Sequence, residues 1–166
     1  QTRKYLFAKI HLPLFKMMDL TIRYAIENDM NRVIDLCEKH AVYENLPFTQ
    51  NGQVMRLNKD LFSKRPKLFC LVAEVADKVI GYATYMRQYA TWDAGEYLYL
   101  DCLFIEKEYR SQGIGEQLMI RVKDESKRLG CDLIQWQTPT FNTRAMKFYS
   151  RVGGQSKTKE RFFLNV

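Results

Sequence analysis

The sequence has few residues suited to a metal site or a disulfide framework. Its 166 residues include four cysteines, none in a C-x-x-C pair, and only two histidines, so a zinc site has a poor supply of ligands. We predict no metal, and free thiols typical of a reducing, cytoplasmic compartment. Apolar runs are also short. None approaches the ~20 residues of a membrane span, which predicts no membrane partner.

Composition excludes a disordered chain and gives only weak support to a polyanion-binding surface. The content of 46% hydrophobic, 13% aromatic and 27% charged residues is that of a folded protein. A chain of this length buries roughly 68–70% of its unfolded surface, which is enough for one domain. The net charge of +7 suggests nucleic acid, a membrane surface or an anionic cofactor. Four basic residues, however, fall within the acid-free segment 1–17, so we predict no nucleic-acid partner.

The first 17 residues differ in character from the rest. They are basic and broken by Pro13, and Met17-Met18 follows as a natural start. This favours a leader that is vector-derived or upstream of the true start, although a docking arm has the same composition. Residues 18–166 are predicted to form one domain.

Hydrophobic periodicity predicts an α/β fold. Strand-like and helix-like segments alternate from Asp19 onward, which indicates a sheet with mixed strand directions. The predicted strands are 21–25, 68–75, 79–89, 96–105, 132–137 and 157–164, with a hairpin turn at 76–78. The predicted helices are 29–41, capped by Asp29, then 58–64, 113–129 and 142–152.

The turn between the strand ending at Ile105 and the long helix is the most informative segment. Gly113 and Gly115 let backbone amides approach an anion at a helix N-terminus, and Arg110 can add a charge-assisted contact. No Gly-Lys-Ser/Thr follows, and Leu118 stands where a third glycine would be, which excludes the Walker and dinucleotide motifs. Spacing alone is equally compatible with a glycine-bearing helix start that binds nothing.

A second segment begins at Asn142 and contains Phe148 and Tyr149. From the residues alone, Asn142 is explained as an N-cap and Tyr149 as a core aromatic. Taken with the glycine turn, however, the order and spacing resemble the GCN5-related N-acetyltransferase (GNAT) superfamily. The segment 110–115 is similar to its Arg/Gln-x-x-Gly-x-Gly/Ala signature, and the resemblance covers nearly all of residues 19–166.

The resemblance implies the GNAT fold, a central mixed and mostly antiparallel twisted β-sheet flanked by helices. It also implies acetyl-CoA as cofactor, a small-molecule amine as substrate and, commonly, a homodimer. The cofactor-binding residues implied are Leu103, Phe104, Ile105, Arg110, Ser111, Gln112, Gly113, Ile114, Gly115, Glu116, Asn142 and Tyr149.

Within the superfamily, segments 41–44, 90–95 and 98–101 are similar to the diamine and spermidine/spermine N-acetyltransferases. The similarity implies acceptor contacts at Tyr43, Glu44, Trp92, Asp101 and Gln137. That branch more often has Glu at position 101 and a second acid where this chain has Cys102, so the exact amine stays open. Trp92 can cover an alkyl chain or an ammonium group, or form a dimer contact instead.

The implied reaction is direct acetyl transfer from acetyl-CoA to a primary amine in a ternary complex. Asp101 is the candidate base, although an Asp of ordinary pKa ~3.9 is a poor acceptor for an ammonium proton, so it can instead orient the cation. Amides of 103–105 can stabilise negative charge on the thioester oxygen, and Tyr149 is the candidate general acid.

Local charge is expected to matter more than net charge. Glu44, Asp93, Glu96 and Asp101 can together attract a polycation, unless Asp93 and Glu96 only decorate an exposed loop. Arg144, Lys147 and Arg151 can meet cofactor phosphates or form a solvated face. Other acceptors stay open at this point: an aminoglycoside, thialysine or lysine, or a protein amine. A non-catalytic nucleic-acid-binding module is the remaining alternative.

Overall fold

The computed structural model describes residues 19–166, so the leader predicted at 1–17 lies outside the described residues. The described part contains five strands and four α-helices. The strands are β1 (Leu20–Tyr24), β2 (Phe69–Val75), β3 (Lys78–Ala90), β4 (Gly95–Ile105) and β5 (Ile134–Gln135). The helices are α1 (Met30–Tyr43), α2 (Gln53–Leu61), α3 (Ile114–Arg128) and α4 (Thr143–Arg151). Over the same range, every helix is too short or too polar to cross a membrane.

The strands form one sheet in the order β1-β2-β3-β4-β5. The first three pairings are antiparallel and the β4–β5 pairing is parallel, which confirms the predicted mixed, mostly antiparallel α/β fold. Ala76 and Asp77 connect β2 to β3 with φ of 48° and 60°. Positive φ at both central residues is typical of a two-residue hairpin turn, so the hairpin predicted there is confirmed.

Both faces of the sheet are buried over the middle of β2 and the first half of β3. Leu71 and Ala83 pack in the cluster that contains α3, whereas their neighbours Val72 and Tyr82 pack in the cluster that contains α1. Successive side chains of a strand point to opposite faces, so β2 and β3 need apolar residues at almost every position. This explains the continuous apolar runs in these strands and gives a three-layer arrangement.

The sheet is irregular where β4 passes its midpoint. Thr84 pairs with Cys102 and Tyr85 pairs with Leu100, so the intervening Asp101 has no partner on β3. An extra residue of this kind is a β-bulge, which bends the strand and redirects side chains. On the other edge of β4, β5 pairs only with Leu98 and Tyr99. Beyond that point β4 and β5 separate, and a cleft opens between them.

Two predicted details at the helices are wrong. Asp29 does precede α1, but its Oδ2 accepts from the Ile26 amide (2.8 Å) and the Arg23 guanidinium (2.7 Å) instead of from an amide of α1. A buried carboxylate is stabilised more by an arginine than by one further amide. The second helix is Gln53–Leu61 and not 58–64, because Gly52, at φ 70°, starts it earlier.

The strand predicted at 157–164 is also wrong, since residues 152–166 contain no strand. Positions 157–161 are mostly charged, and Phe162, Phe163 and Leu164 follow one another at 80–91% exposure. Three consecutive apolar residues cannot share one face of a strand, so pairing would bury only part of them. The strand predicted at 132–137 is present but only two residues long.

We expect Gly81→Ala to lower the free energy of unfolding by about 1–3 kcal/mol, the usual range for overpacking. A Cβ at Gly81 would lie 2.8 Å from the Phe104 carbonyl oxygen of β4, and neither backbone can move without disturbing the β3–β4 pairing. Urea unfolding measures the effect. Gly95→Ala is the matched control, because its Cβ meets only the Asp93 oxygen at 3.6 Å. Equal stabilities of the two variants would contradict the crowding argument.

Candidate active site

A cleft of about 1090 Å³ lies where β4 and β5 separate. The C-terminal end of α1, the second half of β4, the N-terminus of α3 and one side of α4 form its walls. It therefore brings together the glycine turn and the Asn142 segment, which are distant in the sequence.

The N-terminus of α3 presents open amides to this cleft. Gly113 is the N-cap residue at φ 79°, and Ser111 also has positive φ (63°). The first intrahelical bond runs from the Gln117 amide to the Gly113 oxygen, so the amides of residues 114–116 have no partner in the helix. Open amides and the helix dipole make this end a site for an anion.

Gly113 and Gly115 are needed for different reasons. A Cβ at Gly113 would meet nothing within 4 Å, so lack of space does not explain a glycine at this position. The positive φ explains it. A Cβ at Gly115 would lie 3.3 Å from the Phe148 ring. The second glycine thus allows α4 to approach α3 closely. The side chain of the intervening Ile114 packs in the core, so only its backbone is available to a ligand.

Arg110 links β4 to the glycine turn. Its Nε donates to the Ile105 oxygen at 2.8 Å, and its guanidinium lies 4.4 Å from the Tyr43 ring centroid and 5.2 Å from that of Phe104. Partial burial lowers its pKa from the usual range. Arg110 therefore positions the walls of the cleft in addition to any contact with an anion.

Two of the three predicted β4 amides face the cleft. The Glu106 amide donates to the Ile80 oxygen of β3 (2.9 Å), and the Ile105 oxygen faces Arg110 on the other side. Backbone groups of successive strand residues alternate in direction. The amides of Leu103 and Ile105 therefore point away from β3, whereas that of Phe104 points toward it.

Tyr149 lies on α4 and lines the cleft beside two aromatic rings. Its ring centroid is 5.1 Å from that of Trp136 and 5.2 Å from that of Phe148. Burial, with a smaller contribution from Glu44, raises the pKa of Tyr149 to about 12. The phenol oxygen therefore holds its proton throughout the neutral range.

Four of the five predicted acceptor residues line the same cleft: Tyr43, Glu44, Asp101 and Gln137. Tyr43 donates from its hydroxyl to Asn142 Oδ1 at 3.0 Å, which joins α1 to α4. Asp101 is exposed at the bulge, and its Oδ2 lies 3.7 Å from Cys102 Sγ. The two carboxylates thus lie within the cleft together with the phenol of Tyr149.

The remaining predicted acceptor residue and two of the four predicted acids lie elsewhere. Trp92 is fully exposed at the tip of the β3–β4 hairpin, outside the cleft of its own chain. Asp93 shares that tip, and Glu96 pairs with Arg87 at 2.8 Å. Of the four predicted acids, Glu44 and Asp101 alone line the cleft, which favours the exposed-loop interpretation of the other two.

Polar and cationic side chains line other parts of the cleft. Ser111 Oγ accepts from Arg144 at 3.0 Å, and Glu116 also lines the wall. Gln112 is not a wall residue, because its side chain donates to the Glu108 oxygen (3.0 Å). The wall cations include Arg144, Lys147, Arg151, Lys159 and Arg161. The last two were missed because the sequence pattern placed them in a strand.

His40 was also missed. It lines the cleft from α1, and its ring stacks on Phe104 at 5.1 Å between centroids. Its Nε2 lies 3.3 Å from Glu44 Oε1. The i,i+4 spacing of these two residues on a helix is the signal that sequence reasoning could have used.

The family model for the acetyltransferase (GNAT) family matches residues 34–154. The chain belongs to the GNAT family. It is 32% identical over 151 residues to the thialysine N-epsilon-acetyltransferase of Bos taurus, covering 86% of this chain and 88% of that protein.

The chain is also similar to a second named relative and, in its fold, to a solved structure. The chain is 25% identical to a human protein named spermidine/spermine N(1)-acetyltransferase-like protein 1, over 84% of this chain and 21% of that protein. An aminoglycoside N-acetyltransferase solved in complex with CoA superposes with a TM-score of 0.76 at 17% identity, covering 92% of this chain and 99% of the other. The chain is thus an acetyl-CoA-dependent N-acetyltransferase, and its relatives are consistent with the diamine and polyamine branch.

We expect Asn142→Ala to lower the free energy of unfolding by about 1–2 kcal/mol. Asn142 Oδ1 accepts both from the Ala145 amide (3.1 Å), as the predicted N-cap of α4, and from the Tyr43 hydroxyl (3.0 Å). Asn142→Asp keeps an acceptor oxygen for both donors, so its unfolding midpoint in urea should stay near that of the wild type. Equal losses in both variants would contradict this role for Oδ1.

Proposed function

We propose that this GNAT enzyme transfers the acetyl group of acetyl-CoA directly to a primary amine of a small polyamine or diamine in a ternary complex. The observation that carries the proposal is one cleft that holds an open helix N-terminus, the carboxylates of Glu44 and Asp101 and a protonated phenol. The anionic cofactor and the cationic amine thus each have groups of opposite charge in the same cleft. The named relatives support an amine acceptor of this kind.

The cleft residues fit acetyl-CoA. A pyrophosphate suits the open amides of residues 114–116, with Ser111 and the α4 cations Arg144, Lys147 and Arg151 available for further phosphate contacts. When bound, acetyl-CoA supplies a thioester, whose carbonyl carbon is attacked by the amine and whose sulfur departs. The amides of Leu103 and Ile105 are available to stabilise negative charge on the carbonyl oxygen.

Glu44 and Asp101 bind the amine as a cation. An alkylamine with a pKa near 10.4, like that of Lys, is mostly protonated at neutral pH and must lose a proton before it attacks. Asp101, or a water that it polarises, accepts this proton, and both carboxylates orient the chain of the amine. Tyr149 then donates a proton or a hydrogen bond to the departing sulfur.

Tyr149→Phe should reduce kcat by roughly 10²-fold or more. The substitution removes the phenolic proton while it keeps the ring contacts with Trp136 and Phe148. CoA release, followed with a thiol reagent, measures turnover, and calorimetry with acetyl-CoA should show unchanged affinity. Unchanged turnover would remove Tyr149 from the mechanism.

The acceptor is identified by a panel of spermidine, putrescine, thialysine, an aminoglycoside and a lysine-containing peptide. We expect the highest kcat/KM with a diamine or polyamine. Thialysine is the second candidate, because a relative with 32% identity is named for it. A preference for the aminoglycoside or the peptide would overturn the proposed acceptor class. Binding of DNA without thiol release from acetyl-CoA would instead support the non-catalytic alternative.

We further propose a homodimer in which Trp92 contacts the acceptor bound to the second copy. The resemblance implies an acceptor contact at Trp92, yet this side chain is fully exposed and does not line the cleft of its own chain. Trp92 can be exposed in its own chain and still contact an acceptor if the β3–β4 hairpin extends into the cleft of a second copy.

A mixture of Trp92→Ala and Tyr149→Phe chains tests this arrangement. Each heterodimer would contain one site with an intact Tyr149 and a Trp92 from the other chain. After co-refolding in equal amounts, about a quarter of the wild-type activity should return at low amine concentration. Activity no higher than the average of the two separate variants would contradict a contact across the dimer.

A further inference from the structure

His40 occupies a fixed position inside the cleft. Besides stacking on Phe104, it places Nδ1 3.2 Å from the Tyr82 hydroxyl and Nε2 3.3 Å from Glu44 Oε1. Its side chain is only 17% exposed, and Tyr82 is fully buried on β3. The ring is therefore held on one face by Phe104 and at both nitrogens by polar partners.

These partners select one tautomer. An ionised carboxylate only accepts hydrogen bonds, so Nε2 must carry the proton that points to Glu44. In the neutral ring Nδ1 is then an acceptor, and the Tyr82 hydroxyl is a suitable donor. The chain of contacts runs from Tyr82 O–H to Nδ1, and from Nε2–H to Glu44 Oε1.

We propose that His40 is a positioning residue that fixes the Glu44 carboxylate for recognition of the acceptor amine, an inference that rests on the proposed function of the cleft. Glu44 is the residue after the last one of α1, and a side chain at a helix end has several rotamers available. The contact with Nε2 selects the rotamer that holds Oε1 3.3 Å from the His40 ring. Without it, the carboxylate can turn to solvent, and the amine must bind to a less ordered partner.

Several charged or titratable groups face His40 from the elements around it. They are Glu44 at the C-terminal end of α1, Tyr82 of β3, Asp101 of β4 and Arg110 of the glycine turn. The thiols of Cys37 and Cys102 line the same cleft, beside Tyr82. Burial is the largest influence and lowers the pKa of His40, with Arg110 acting in the same direction and the two carboxylates opposing it. The neutral ring is therefore the form present at neutral pH.

Protonation of His40 should weaken recognition of the amine. The imidazolium would neutralise Glu44 locally, so KM for the amine should rise as the pH falls through the pKa of His40, below its ordinary 6.5. Above that pKa the group adds no pH dependence. The acceptor itself stays protonated across this range.

The first test uses the unmodified protein. A long-range proton–nitrogen spectrum of the imidazoles should show His40 protonated at Nε2 and unprotonated at Nδ1. The chain has only two histidines, His11 and His40, so a His40→Gln spectrum assigns the signals. An Nδ1–H tautomer would overturn the proposal.

The second test is kinetic. His40→Leu keeps an apolar side chain against Phe104 but loses both polar contacts, so KM for the diamine should rise about tenfold while kcat and KM for acetyl-CoA change little. The side-chain amide of His40→Gln can donate to Glu44. KM for the diamine should therefore stay close to the wild-type value in this variant, without the rise at acidic pH. A KM for His40→Leu equal to that of the wild type would overturn the proposal.

A double-mutant cycle with Glu44→Gln makes the coupling explicit. If His40 acts through Glu44, His40→Leu should have little further effect on KM in the Glu44→Gln background. Additive effects would overturn the proposal. Failure of the proposed function is separate, since the wild-type enzyme would then prefer the aminoglycoside or the peptide, or acetylate none of the amines in the panel. The tautomer would still report the His40–Glu44 contact.

Discussion

The site depends on β4 having no partner strand on one edge beyond Tyr99. A two-residue β5 ends the parallel pairing there, and the bulge at Asp101 bends β4 at almost the same point. If the pairing continued, the outward amides of Leu103 and Ile105 would be used in the sheet, and no cleft would exist. The missing strand contacts thus provide both the space for a ligand and the free hydrogen-bond donors that face it.

The distribution of ion pairs is compatible with the proposed binding of a cation by a chain of net charge +7. Acids on the two sheet faces are neutralised: Glu106 pairs with Arg32 and Lys39, and Glu125 pairs with Arg121 and Arg128. Asp101, by contrast, forms no salt bridge with any residue between 19 and 166. A carboxylate that the fold leaves without a cation, in a cleft open to solvent, is available to a cationic ligand.

Local sequence patterns predicted most of the fold. They did not predict the contacts between segments that are far apart in the sequence. The α3 helix and its stop at Gly130 follow from periodicity and glycine chemistry, and the hairpin at Ala76-Asp77 follows from a polar turn between apolar runs. The position of Trp92 outside the cleft does not follow from its motif, because the length of the β3–β4 hairpin is set by pairing and not by composition. The contact of His40 with Tyr82 likewise joins residues 42 positions apart.

Burial, more than charge, sets the proton chemistry of the cleft. It is the largest influence on both Tyr149 and His40, raising the pKa of the first and lowering that of the second, and so it favours the neutral form of each. The same effect acts on the proposed substrate. An ammonium group that moves from the exposed Asp101 toward these buried rings loses hydration, which lowers its own pKa. A strong base is then unnecessary, and a carboxylate or a water beside it can accept the proton that the amine must lose before it attacks.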